Sequence, residues 1–301
     1  MKKILFALGL MILHLPGFGQ TDVLFSNHGQ NIQAFNPSVI DDNGRINLTL
    51  GGRQQWIGFP DAPEVQMLGL EHFLEDYNMG LRLTALNQKF GKEVFRRLIV
   101  AYAYRVRLAE EATLQFGLGA GFYQRLVLFS QLVYLENNEP LVRPDEQYFK
   151  PDFEFGFHAQ LKDLGFGYAA NHISTPARDA SLSKVAIHHH AYASYLLKAT
   201  ENLGVNGMLS FHKQGKVSYL QASVLAETGI ISAGLGWRHL DAFILQAGLK
   251  ITERARIAYS YDFGIGPTAG LSSGTHEVVL RLGFDKKGGA YLSPRFMDYG
   301  N

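Results

Sequence analysis

From about Ile46 to Phe284 the chain is a succession of short segments in which apolar and polar residues alternate. In the segment ending at Asp262, Ala255, Ile257, Tyr259 and Tyr261 share one face, and Arg254, Arg256, Ala258, Ser260 and Asp262 share the other. Val278, Leu280, Leu282 and Phe284 stand opposite Glu277 and Arg281. Leu98, Val100, Tyr102, Tyr104 and Val106 alternate with a row containing Arg97, Arg105 and Arg107, and Leu114, Phe116, Leu118 and Phe122 with Thr113, Gln115 and a run of glycines. A period of two marks a strand with two unlike faces. Strands are predicted at about 46–55, 63–73, 79–87, 97–108, 112–122, 151–160, 163–172, 187–197, 201–211, 216–226, 229–239, 242–250, 254–263 and 274–284; Lys216 to Ala226 alternates least well. An arginine row behind an apolar row does not suit the oily middle of a soluble sandwich, but it suits a wet or salt-bridged bore. A sheet that faces lipid must close, because an open edge leaves backbone groups unpaired. The predicted class is therefore all-β: a closed antiparallel transmembrane β-barrel of about 14 strands, of the outer-membrane type.

Connection lengths support this. The links near 74–78, 109–111, 161–162, 198–200, 227–228 and 251–253 are short. The alternate set holds the long ones, at 56–62, 88–96, 123–150, 173–186 and 264–273, although 212–215 and 240–241 are short as well. Short periplasmic turns and long external loops are the usual asymmetry of such barrels.

Residues 1–19 read as a secretory signal: Lys2 and Lys3, then the apolar run Ile4 to Leu15, then Pro16 to Gly19 before Gln20. The apolar run is shorter than the roughly 20 residues of a spanning helix. The expected organisation is a signal at 1–19, a periplasmic N-terminal segment at 20–45, the barrel at 46–284 and a periplasmic tail at 285–301. Removing the signal leaves 26 basic residues against 27 acidic ones, with no basic stripe, so nucleic acid is not an expected partner. The chain has no cysteine, which excludes disulfides, thiolate metal sites and a lipid-modified N-terminal cysteine.

Candidate chemistry is sparse. His188 and His190 share a strand face, and imidazole suits zinc or copper, but two ligands are too few and no third stands at a useful spacing. The pair reads as a polar row, and no metal site is expected. The acid pairs Asp145–Glu146 and Glu110–Glu111 have no nucleophile beside them. The run from Gly117 to Gly121 opens no helix and so lacks a phosphate cradle. No catalytic residue and no cofactor is expected.

Several stretches are more specific than barrel mechanics require: Phe35, Asn36 and Pro37 before the first strand; Arg53, Gln54, Gln55 and Trp56 with Gly58, Ala62 and Pro63 in the first loop; and Tyr259, Ser260, Tyr261 and Asp262 running toward His276 and Glu277. With Phe25 and Ser26, Gly80, Gly165 to Gly167, Asn171, His172, Gly234 to Arg238, Asp241, Ala242 and Gly274 to Glu277, they form an ordered set along the mature chain. On that set the chain resembles the PorP/SprF family of type IX secretion outer-membrane proteins. It departs where the family continues Asn-Pro with Ala-Tyr-Ala-Gly and this chain has Ser38, Val39, Ile40 and Asp41. The resemblance implies a non-enzymatic component or accessory of the type IX apparatus in the outer membrane of a Gram-negative bacterium. Its implied partners are membrane lipid, other secretion components and a secreted cell-surface adhesin. Loops 123–150 and 173–186 would meet the client, although the aromatic and acidic residues of 123–150 (Tyr123, Phe129, Tyr134, Tyr148 and Phe149 with Glu136, Glu139, Asp145 and Glu146) suit a loop folded inward equally well. A passive porin for small solutes is the alternative, and a soluble periplasmic β-sandwich a third reading.

Overall fold

Fourteen antiparallel strands close on themselves in the computed structural model, each paired with its sequence neighbours and the first with the last. The described residues are 23–132, 144–174, 185–266, 269–270 and 272–285. The expected signal, the tail beyond Asp285 and the middle of both long loops lie outside them. The strands are β1 (Arg45–Gln54), β2 (Glu64–Leu74), β3 (Met79–Phe90), β4 (Glu93–Ala109), β5 (Ala112–Val127), β6 (Glu146–Leu161), β7 (Leu164–Asn171), β8 (His188–Thr200), β9 (Leu203–Gln214), β10 (Val217–Glu227), β11 (Ile231–Arg238), β12 (Ala242–Thr252), β13 (Ala255–Gly264) and β14 (Thr275–Asp285). Closure runs from Arg45 opposite Asp285 to Gln54 opposite His276, so no edge is left open to lipid. A flat two-layer sheet is thereby excluded.

The two faces divide as the alternation predicts. Val100, Tyr102, Tyr104, Phe116, Leu118, Leu245, Ile257, Tyr259 and Val278 are exposed on the outer wall. Their strand neighbours Ile99, Ala101, Ala103, Arg105, Ile244, Ala258, Ser260, Asp262 and Glu277 are buried inside. Arg107 and Arg256, expected in the inner row, lie exposed near the strand ends. Val100 sits mid-strand on the lipid face, 57% exposed. Val100→Arg is expected to cost about 2–4 kcal/mol, the usual penalty of arginine near the bilayer midplane. Denaturant unfolding from lipid vesicles measures it, with the rim residue Arg107→Ala as the near-neutral comparison.

The wall between β3 and β6 is taller than predicted. Residues 88–96, expected as a loop, continue the β3–β4 hairpin around Gly91, and β5 and β6 pair as far as Val127 opposite Glu146. There the outward side chains turn polar: Gln66, Asn87, Arg96 and Gln124 link across four strands by hydrogen bonds of 3.4, 3.3 and 3.1 Å. Backbone pairing continues above the lipid while the apolar signal stops.

The N-terminal segment is not outside the barrel. Residues 23–40, expected in the periplasm as part of 20–45, lie inside the bore. Val23, Leu24, Phe25, Ser26, Asn27, His28, Asn31, Phe35, Asn36, Ser38 and Ile40 are all buried, and their partners come from strands all round the wall. The segment climbs from the short-turn end, where Ile40 packs on Phe73 and Ala103, to the long-loop end, where Val23 and Phe25 pack on Val65 and Met67. The reason is polarity. Val23 to Ile40 contains no Asp, Glu, Lys or Arg but is rich in amide and hydroxyl side chains. It can satisfy a bore whose charges already pair with one another.

Candidate functional site

Ser26 is the centre of the plug. Its Oγ donates to Asp262 Oδ2 at 2.7 Å and accepts from Arg53 Nη1 at 2.8 Å and Arg238 Nη2 at 2.9 Å. Its backbone N–H donates to Glu277 Oε2 at 2.7 Å, and Asn27 N–H to Glu277 Oε1 at 3.1 Å. Its carbonyl accepts from Gln246 at 2.8 Å and Gln221 at 3.2 Å. One small residue thus bonds to β1, β10, β11, β12, β13 and β14, with every polar atom satisfied as burial demands. Behind it, Arg53 bridges Asp262 and Glu277, both at 2.9 Å, while Arg238 reaches Asp241 at 2.7 Å and Asp262 at 3.3 Å. The strand registers make this possible by setting Arg53 directly opposite Glu277 and Ser260 beside it in the next ladder.

A second node holds the middle of the plug. Asn36 donates to Phe157 O at 3.1 Å and Tyr192 Oη at 3.2 Å, and its Oδ1 accepts from the N–H and hydroxyl of Ser38 at 3.0 and 2.7 Å. Asn171 donates to Phe35 O at 3.1 Å, and Arg82 to Asn36 O at 3.1 Å. The wall is braced by Arg97, which bridges Asp152 at 2.6 Å and Glu154 at 2.9 Å, and by His172, whose Nδ1 lies 3.0 Å from Asp152. Ser38 and Ile40, where the chain departs from the family pattern, are both seated inside.

The residues singled out in the sequence therefore separate by face. Phe35, Asn36, Pro37, Arg53, Asn171, His172, Arg238, Asp262 and Glu277 are buried in or around the plug, with Asp241 at its edge. Tyr259, Tyr261 and His276 stand on the outer side instead, where Tyr259 Oη meets His276 Nδ1 at 2.7 Å and Tyr261 donates to Ser273 O at 2.8 Å. Gln54, Gln55, Trp56 and Gly58 lie at the rim. Trp56, a buried type by composition, is only half-buried and adopts a positive φ of 48°. Its loop docks on the last one, with Ile57 N–H on Gly274 O at 2.9 Å, and does not enter the bore. Pro63 is buried where that loop meets β2.

Sequence reasoning passed over Ser26 as a lock and two histidines as a group. His188 and His190 of β8 are joined by His212 of β9, which the register places directly opposite His190, and by His28 of the plug. The available signal was the hairpin itself, since pairing β8 with β9 brings residues 22 apart into contact. In the aromatic loop 123–150, Tyr123 points inward and packs with Phe95 and Val185, while Phe122 and Phe149 face outward with ring centroids 4.7 Å apart. Tyr134, Glu136 and Glu139 lie outside the described residues.

Solved structures share the fold at low identity. The CymD monoaromatic hydrocarbon channel and the Ralstonia pickettii toluene transporter TbuX each align over 89% of this chain and 95% of their own, at 10% identity and a TM-score of 0.50. Acinetobacter baumannii Omp33 aligns over 80% of this chain and 98% of its own, at 5% identity and a TM-score of 0.48. No curated protein sequence matches the chain. The likeness to CymD and TbuX speaks for the barrel alone. The family model for the type IX secretion system membrane protein PorP/SprF matches residues 17–282, nearly the whole chain including the plug. This closed outer-membrane barrel, matched by that model from before its plug to its last strand, is thus a member of the PorP/SprF family of type IX secretion proteins.

Proposed function

We propose that this barrel is a closed, non-enzymatic docking subunit of type IX secretion, holding a secreted surface protein at its external end and meeting the periplasmic machinery at the other. The observation that carries the reading is the plugged bore: a conduit for solutes needs a continuous water path, and here Ser26 ties the plug to six strands. What remains for function is surface. At the end with the long connections, Phe122 and Phe149 border a cavity of about 560 Å³ on the outer wall, lined also by Leu68, Leu98 and Arg96. Exposed aromatics beside an arginine are the residue types that anchor protein contacts.

Extraction of cells in mild detergent and capture of the barrel should bring down a large secreted adhesin. The double variant Phe122→Ala, Phe149→Ala should lower the captured amount at least tenfold while the barrel itself remains folded. Deleting the gene should abolish surface delivery of that adhesin. If every surface protein is delivered normally and uptake of a small solute falls instead, the porin reading replaces this one.

A further inference from the structure

Four histidines meet inside the barrel at the β8–β9 wall, and none of them takes part in the lock at Ser26. His188, His190 and His212 are all buried, and one ring nitrogen from each lies within 4.8 Å of the others. The rings of His188 and His190 are 3.8 Å apart, and His190 Nδ1 stands 2.7 Å from His212 Nδ1. From the plug, His28 lies against His212 at 4.5 Å and Phe35 stacks on His190 at 4.8 Å, so the cluster is roofed. His28 Nδ1 is buried and has no hydrogen-bond partner among the described residues.

We propose that His188, His190 and His212 bind one transition-metal ion of the zinc or copper class, on the wall directly beneath the plug. The ring of His212 is already oriented for it. His212 Nε2 lies 3.2 Å from Ser210 Oγ, which in turn donates to Gln221 O at 3.4 Å. An N–H at Nε2 donating to that hydroxyl leaves the Nδ1 lone pair of His212 facing His190. Such an outer hydrogen bond is the usual device that fixes the tautomer of a metal-binding imidazole. Two nitrogens on one tetrahedral zinc at about 2.0–2.1 Å stand about 3.3 Å apart. The His190–His212 pair needs to open by only a fraction of an ångström, the ion replacing the hydrogen bond between them. His190 then carries its proton on Nε2, so no proton is lost.

The donor set also selects the ion. It consists of nitrogen alone, and the buried carboxylates Asp152, Glu154, Asp262 and Glu277 are all engaged by arginines. Calcium and magnesium require oxygen, whereas imidazole suits zinc, copper and nickel. His189, on the opposite face of β8, is outside the site and contacts Tyr168 Oη at 2.8 Å.

The test uses the full mature chain, folded in detergent, carrying a tag without histidine and stripped with chelator. Titration with Zn²⁺ should reach one ion per chain, and the affinity should fall at least tenfold in His190→Gln and His212→Gln but not in His189→Gln. Heat-shifted gel mobility verifies that each variant is folded. Cu²⁺ bound to the wild type should give an electron paramagnetic resonance spectrum split by imidazole nitrogens, a readout that does not depend on any variant. No uptake of Zn²⁺, equal loss in His189→Gln, or a Cu²⁺ spectrum with oxygen ligands only would each overturn the site.

Discussion

Replacing Arg53 with methionine is expected to unseat the plug and turn a silent barrel into a conducting one. Arg53 is the cation that Asp262 and Glu277 share, and it also donates to Ser26 Oγ, all three contacts being 2.8–2.9 Å. Its side chain is 1% exposed and those of its acid partners 4% and 0%. Removing one member of a buried ion pair typically costs about 3–5 kcal/mol, because the remaining charge stays in a low-dielectric site without its partner. Arg238 still holds Asp262, but among the described residues Glu277 keeps only the two backbone N–H donors of Ser26 and Asn27. The cheapest relief is for water to enter and the N-terminal segment to leave. Planar-bilayer recordings should therefore show no steady current for the wild type and frequent openings for Arg53→Met. Protease should cut residues 23–40 in the variant alone. The triple variant Arg53→Met, Asp262→Asn, Glu277→Gln should be quieter than the single one, since charges removed together leave no orphan. Arg256→Met is the comparison: its pair with Glu227 is largely exposed and worth about 1 kcal/mol or less. If Arg53→Met conducts no more than Arg256→Met, the lock is not what closes the bore.

The wall of this barrel is legible in the sequence because one rule runs through its strands: apolar side chains toward the lipid, and mostly polar or small ones inside. Val217–Glu227 shows it least clearly, and Ile99, Ile244, Val65 and Met67 are large apolar residues that nonetheless face the bore. Legibility ends where the rule stops applying. Above the lipid, Asn87 and Arg96 pair in register although neither is apolar, so the tall hairpins read as loops. Inside the bore the signal is weaker still. A plug has no period, since its partners lie on every side and at no fixed spacing. Asn36 and Pro37 carry the local signature of a turn, and they do form one, but only the closed wall reveals that the turn is enclosed. A less direct clue was present: a wall with Arg53, Arg82, Arg97, Arg238, Asp152, Glu154, Asp262 and Glu277 facing inward needs uncharged hydrogen-bonding material to fill it, and the uncharged stretch from Val23 to Ile40 is where the chain supplies it. The aromatic and histidine residues of the motifs illustrate the same limit. Tyr259 and Asp262 sit three residues apart and so point to opposite sides, one to the outer surface and one to the lock. A motif read as one unit is two sites in the fold.

The second large effect comes from a residue with no side chain. Gly117 of β5 faces the bore where the plug makes its turn, and a Cβ there would lie 2.3 Å from Ser38 N and 2.5 Å from Pro37 O. These are backbone atoms, so no rotamer change relieves the overlap. Pro37 restricts the local backbone further, since its ring holds φ near −65°. Gly117→Val is therefore expected to exclude the plug outright while sparing the wall, because the added atoms project into the bore and not toward the neighbouring strands. The variant should still show the heat-shifted mobility of a folded barrel, yet amide exchange across 36–40 should rise by orders of magnitude and the bilayer current should match or exceed that of Arg53→Met. Gly156→Val attacks the same turn through Asn36 Oδ1, 2.2 Å from the added Cβ, and that side chain is held by its bonds to Phe157, Tyr192 and Ser38. Its effect should be smaller, since a side chain can move where a backbone cannot. Gly207→Ala meets nothing within 4 Å and should leave the barrel silent. The ranking of Gly117 over Gly156 over Gly207 separates exclusion of the plug from general damage to the barrel: strain in the wall would weaken all three folded states alike, whereas a seated plug is displaced only by what it touches.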